Sequence, residues 1–261
     1  MRSVLTIAGS DSSGGAGIQA DIKTIAAHHL FAQSVITALT AQNTTGVYGV
    51  FDVPSEFVIQ QIGAVFQDIR PDAVKVGMVS SPAIVEAIAG ALERHGARNI
   101  VVDPVMVATS GSSLAADGAV QALRDRLIPL ASVITPNRME AEVLSGLPIA
   151  DAAGQEAAAM AIAGASGTAA LVKGGHNAND ANDVLALPDG EVCWFEGRRI
   201  DNPNTHGTGC TLSSAIACGL AVGQPLPEAI RDAKRYLEGA LAAGLDLGRG
   251  SGPMDHLYML G

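Results

Sequence analysis

Three observations predict an α/β fold, a central and mostly parallel sheet with helices on both faces. Apolar runs of strand length alternate with longer runs of helical spacing along almost the whole chain. The composition is 48% hydrophobic but only 3% aromatic, with 30 glycines, so the core is built from Ala, Val, Ile and Leu at close backbone approach. The glycine-rich and polar stretches follow the strand runs, which gathers them at one sheet edge, where ligands bind in such folds. With 261 residues and no Pro- or Ser-rich linker, the chain is read as one domain, residues 1–261.

The first strand is predicted at residues 4–8. Its apolar run is followed at once by Asp11 and glycines, with no cleavage pattern, so it does not read as a leader. Residues 9–17 form a loop and residues 18–30 have helical spacing. Gly9 and Gly14 stand at the distance of a Walker A loop, but Gly15 and Ala16 occupy the places of its Lys and Ser/Thr. Asp21, early on this helix, reads either as a first-turn carboxylate favouring the helix dipole or as a functional acid. Residues 34–41 make an apolar strand ending in the polar cluster 42–46. Its Gln42 can donate to and accept from a heterocycle edge at once, or serve as a loop amide bonded to backbone.

Residues 54–69 read as an amphipathic helix, 73–77 as a strand, 81–95 as a helix and 99–102 as a strand running into Asp103. An acid at the end of a buried strand is a candidate magnesium partner or a turn cap. The small residues 108–113 read as a mobile flap or a surface loop. After the strand at 132–135, Pro136 starts a helix on which Asn137 and Glu140 share a face; the same pair fits a capping box. The strand at 168–172 leads to Lys173. A lysine in a buried-strand pattern needs an anionic partner. His176 follows in the loop, residues 183–187 and 191–195 form a hairpin, and an Ala-rich helix covers 226–244.

The stretch 204–214 alternates glycines with small hydroxyl residues and runs into a small-apolar helix. Such a turn aims several unpaired N–H groups, and the positive end of a helix dipole, at one spot that favours a phosphate. Cys210 falls in its first turn, where the thiol pKa is expected to drop. An anion cradle beside a basic group is a phosphoryl-transfer arrangement, so the chain is a kinase candidate.

A net charge of −10 and the lack of a Lys/Arg run exclude a nucleic-acid surface. Cys193, Cys210 and Cys218 share no CxxC spacing, so neither a disulfide framework nor a zinc site is indicated. No run reaches 18 apolar residues, so no membrane span is expected, and a reducing, cytoplasmic location fits.

Several stretches together carry a resemblance. They are Thr6-Ile7-Ala8-Gly9-Ser10-Asp11, Ser13-Gly14-Gly15-Ala16-Gly17-Ile18-Gln19-Ala20-Asp21, Thr40-Ala41-Gln42-Asn43-Thr44, Asp103-Pro104-Val105-Met106, Ile134-Thr135-Pro136-Asn137, Val172-Lys173-Gly174-Gly175-His176 and Thr205-His206-Gly207-Thr208-Gly209-Cys210-Thr211. In this order the chain resembles the hydroxymethylpyrimidine/phosphomethylpyrimidine kinases of thiamine biosynthesis, in the ribokinase superfamily. The resemblance implies a ribokinase-like fold and Mg-ATP-dependent phosphorylation of 4-amino-5-hydroxymethyl-2-methylpyrimidine and then of its monophosphate. It implies a pyrimidine pocket of Gly9, Asp21, Gln42, Met78 and Val105. It also places Lys173, Asn137, Thr205 and Thr208 on the nucleotide, Asp103 and Glu140 on magnesium, and Gly207, Thr208 and Gly209 in an anion hole. Cys210 stands where many relatives carry an aspartate base, and Ser12 stands where proline is frequent. The family is commonly dimeric, so a homodimer is expected. Two alternatives stand beside this reading: a pyridoxal/pyridoxine kinase on the same fold, and a pyrimidine-binding sensor without catalysis. A Rossmann dehydrogenase lacks its fingerprint.

Overall fold

The computed structural model describes residues 1–106, 118–174 and 181–260. Within them, β1 (Ser3–Asp11), β2 (Phe31–Asn43), β4 (Ala73–Val76), β5 (Ile100–Val102), β6 (Val133–Ile134) and β7 (Ala169–Val172) pair in parallel. Three further strands, β3 (Gly46–Asp52), β8 (Asp183–Ala186) and β9 (Val192–Phe195), add antiparallel edges. The sheet order is β3-β2-β1-β4-β5-β6-β7-β8-β9. The chain reverses its direction of winding between β1 and β4, so a crevice opens there at the carboxyl ends of the strands.

Alternating side chains send the two faces of the sheet into two cores. Leu5, Ile7, Val102, Ile134 and Val172 pack under α2 (Ser55–Asp68), α3 (Pro82–His95) and α6 (Ala152–Ser166). On the other face Val4, Val101, Val133 and Leu171 meet α1 (Gly17–Ala27), α7 (Thr208–Ala221) and α8 (Leu226–Ala242). Residues 211–221 of α7 are buried on every side, which explains a sequence with no polar stripe. Gly219 lets α8 approach closely, since a Cβ there would lie 2.7 Å from that of Ala229.

The fold is the expected one, with local differences. β1 extends to Asp11 because Ser10 and Asp11 continue the ladder to Leu39 and Thr40 across a register shift. Gly9, Ser10 and Asp11 are therefore strand, not loop. β2 likewise runs to Asn43 and folds back into β3, so Gln42 sits in a ladder opposite Val47. α1 stops at Ala27, where the chain turns through His29 at φ 58°. The sequence reading lacked α4 (Ala119–Ala122) with the short helical turns Leu123–Leu127 and Ile128–Leu130 that continue it, and α6, whose near-uniform alanine gives no periodic stripe. α5 (Arg138–Ser145) lies where expected. The proposed flap at 108–113 and His176 lie outside the described residues.

Candidate active site

A cavity of about 730 Å³ follows the carboxyl edge of the sheet. Gly9, Gln42, Met78 and Val105 line it together with Asp103, Lys173 and Gly207 to Cys210, and Asn137, Glu140 and Thr205 are on its wall as well. All expected site residues except Asp21 therefore share one space.

The anion turn is held by backbone contact. Gly207 caps α7 at φ 87°, and a Cβ there would run into the carbonyl oxygen of Gly15, so the turn rests directly on the first loop. A Cβ at Gly209 would lie 3.2 Å from Asp103 Oδ2 and 3.3 Å from Lys173 Nζ. The first-turn amides of a helix have no intrahelical acceptor, and those of α7 thus open beside a lysine. Lys173 Nζ donates to Asp103 Oδ1 at 2.9 Å, and Thr135 Oγ1 donates to the same oxygen at 3.1 Å. Burial opposes the charge on Lys173, but Asp103 and Glu140 raise its pKa above the usual lysine range.

Glu140 and Asn137 form a full capping box. Glu140 N donates to Asn137 Oδ1 at 3.0 Å, and Asn137 N donates to Glu140 Oε2 at 2.8 Å. The capping reading is thus correct, and it leaves Glu140 facing the cavity. Burial, with the charge of Asp103 added, pushes the Glu140 carboxyl up to about 7 against the pull of Lys173. Two mutually repelling acids suit a divalent cation held largely through water and phosphate oxygens, the usual habit of magnesium. They are too few for an all-protein cage, and among the described residues no group of three or more acidic, His or Cys side chains is arranged to hold a metal ion.

Two expectations need correction. Asp21 does not line the cavity and is not a first-turn carboxylate; it is fully buried beneath the site on Lys75, Thr6 and Ser214. The Cys210 thiol is not acidified. Burial drives its pKa up to about 11, outweighing the charge of Lys75 and the N–H bond from Gly17. The helix N-terminus helps a thiolate by a fraction of what desolvation costs it.

The sequence reading missed three groups. Lys75 yields to the argument applied to Lys173, since a lysine inside an apolar strand requires an acid. His206 was passed over within the turn, yet its Nε2 lies 2.8 Å from Asp11 Oδ2. Asp183 and Lys234, paired at 2.6 Å, line the cavity through long-range folding that no local pattern reports.

A mostly parallel α/β sheet that sets backbone donors and a lysine in one cavity at its carboxyl edge defines a ribokinase-like small-molecule kinase, a phosphotransferase. The sequence model of the family described as phosphomethylpyrimidine kinase matches residues 11–255, and the chain belongs to that family. The hydroxymethylpyrimidine/phosphomethylpyrimidine kinase of Streptomyces coelicolor is 50% identical over 259 residues, covering 99% of this chain and 95% of that protein. The crystal structure of a phosphomethylpyrimidine kinase from Clostridium difficile is 43% identical, with TM-score 0.82 over 91% of this chain and 98% of that one. The ADP complex of Bacillus subtilis pyridoxal kinase is 35% identical, with TM-score 0.92 over 100% of this chain and 99% of that one. Among the described residues no helix is long and apolar enough to cross a membrane.

Proposed function

We propose that this chain phosphorylates the hydroxymethyl oxygen of 4-amino-5-hydroxymethyl-2-methylpyrimidine from ATP and then phosphorylates the monophosphate to the diphosphate, in the cytoplasm, for thiamine biosynthesis. The observation that carries the reading is the position of the Gly207–Cys210 turn beside Lys173 and Asp103, so close that a Cβ at Gly209 would meet both, in the cavity that Gln42 and Asn137 also line. Lys173 faces the phosphate chain, and the turn of Gly207, Thr208 and Gly209 forms the anion hole whose donors meet the charge on the group in transit. One such donor is worth about 2.7–4 kcal/mol in mutated enzymes. Asn137, Thr205 and Thr208 hold the nucleotide. Asp103 and Glu140 hold magnesium, which neutralises charge on the phosphates when bound.

Gln42 reads the amino-pyrimidine edge while Met78 and Val105 flank the ring. Cys210 serves as the base through its thiolate, the minor form in this setting, which takes the hydroxyl proton late and becomes the thiol as the O–P bond forms; a loose phosphoryl transfer permits this order. The continuous sheet supports one kinase domain, residues 1–261. Exposed apolar residues on the outer strand, Tyr48, Val50 and Phe51, support a homodimer.

A second reading, pyridoxal kinase, is favoured by the full-length likeness to the Bacillus subtilis enzyme. An ATP-consumption assay with both carbinols and with the pyrimidine monophosphate separates them. The pyrimidine kinase makes diphosphate from the monophosphate. Turnover of pyridoxal alone would overturn the proposal.

A further inference from the structure

The hydrogen-bond roles around His206 determine which way round the Gln42 amide stands. Asp11 is an acceptor only. Burial works against its charge, but bonds from His206 and Ser13 and from backbone N–H groups hold the carboxyl down at about 2. His206 Nε2 lies 2.8 Å from Asp11 Oδ2, so that nitrogen carries its hydrogen in either charge state of the ring. The nearer amide atom of Gln42 lies 3.3 Å from the same Nε2. An N–H has no lone pair to offer another N–H, so the amide atom facing His206 is oxygen.

The opposite end of the amide agrees. The Thr40 hydroxyl donates to Ser10 O at 2.9 Å and lies 3.3 Å from the second amide atom of Gln42. Its single hydrogen is already used, so it accepts there, and the amide supplies the NH₂. One chain results: the Nε2–H of His206 donates to Asp11 at 2.8 Å and shares that hydrogen weakly with Gln42 oxygen at 3.3 Å, Gln42 donates to Thr40, and Thr40 donates to Ser10. The reverse orientation sets two donors, the His206 Nε2–H and the Gln42 NH₂, against each other at 3.3 Å.

His206 cannot shift to suit another arrangement. It is 7% exposed, a Cβ on Gly15 would lie 2.5 Å from its Cδ2, and its own N–H donates to Gly252 O at 3.2 Å. We propose that His206 is a specificity-determining positioning residue: with Thr40 it locks the Gln42 amide so that the cavity accepts a ring edge with its donor and acceptor in one order only. A 4-aminopyrimidine presents a donor beside an acceptor and is read in that order. A ring carbinol without the adjacent amino group gains nothing from the lock. The inference rests on the reading of Gln42 as the group that meets the pyrimidine.

The test compares kcat/KM for the hydroxymethylpyrimidine and for pyridoxal, with KM for ATP, in four variants. His206→Leu removes the donor, His206→Gln restores an N–H, Thr40→Val removes the far acceptor on a different element, and Gln42→Leu removes the reader. His206→Leu is expected to lower the pyrimidine-over-pyridoxal ratio about tenfold through KM for the pyrimidine, with KM for ATP unchanged. His206→Gln should recover most of it, and Thr40→Val should shift the ratio the same way. An equal loss on both substrates in His206→Leu, or an unchanged ratio, overturns the inference while a collapsed ratio in Gln42→Leu keeps the functional reading. An unchanged ratio in Gln42→Leu overturns that reading itself. Should His206→Leu fail to fold, Thr40→Val decides: a preserved ratio there overturns the lock.

Discussion

Lys75 Nζ lies 2.9 Å from both carboxylate oxygens of Asp21, and neither side chain has any exposed surface. Thr6 Oγ1 donates to Asp21 at 2.6 Å and Ser214 Oγ donates at 2.8 Å, so one carboxylate ties β1, β4, α1 and α7 together. Burial disfavours the ammonium charge, yet Asp21 holds the Lys75 pKa above the ordinary range. Ser214 lies four residues after Cys210, on the same face of α7. Two levels of contact therefore join α1 to α7: Asp21 with Ser214 below, and the Gly17 N–H with the Cys210 sulfur above.

Removing one partner leaves the other charge buried and alone. Lys75→Met should cost about 3–5 kcal/mol in urea unfolding, and Lys75→Met combined with Asp21→Leu should recover most of that loss. Additive losses in the double variant would show that the two charges are not coupled.

The thiol of Cys210 should be unreactive at neutral pH. With its pKa near 11, only about one molecule in ten thousand carries the thiolate at pH 7. Iodoacetamide labelling followed by mass spectrometry should therefore climb tenfold per pH unit well past pH 9. A plateau near pH 8 would restore the acidic thiol. Cys210→Ala should lower kcat more than affinity for the pyrimidine, and equal turnover would remove the sulfur from the proton transfer.

Two glycines of the turn should fail in different ways. Gly207→Ala places a side chain at positive φ and against the Gly15 carbonyl, so it should destabilise by at least about 1–3 kcal/mol and displace the turn. Gly209 is helical, and its added methyl only crowds Asp103 and Lys173. Gly209→Ala should hold Tm within a few degrees while kcat falls about a hundredfold. Thermal melts run beside steady-state assays distinguish the two.

His256 should make the protein sensitive to mild acid. It is 2% exposed, with Nε2 3.1 Å from Thr211 Oγ1 in the first turns of α7. Burial, assisted by the charge of Lys23, lowers its pKa to about 4. The unfolded chain takes up a proton near pH 6.5 and the native one does not, so stability held above that pH is lost as pH falls toward about 4. The slope approaches roughly 1.4 kcal/mol per pH unit. His256→Gln should flatten that part of a curve of unfolding free energy against pH, and an unchanged slope would place the titration elsewhere.

Much of this was legible in local sequence because it depends on local physics. Apolar runs gave the parallel strands, Gly207 and Gly209 gave the turn, and Lys173 gave its need for an acid. The failures share a cause, which is that their explanation lies far along the chain. Asp21 is explained by Lys75, 54 residues away, and the Cys210 pKa by burial that several elements create together. Gln42 was assigned to a loop because nothing local announces that β3 will return to pair with β2. Asn137 and Glu140 were legible in both of their readings, and the structure realises the capping box while leaving the carboxylate turned to the cavity.

The near-contact of α7 and α8 at Gly219 has a mechanical consequence. The helix that presents the anion turn has no slack along its flank. α8 carries Lys234, whose grip on Asp183 shapes another wall of the cavity. One methyl added at position 219 would act as a wedge, and both walls would open without any change to a residue that faces them.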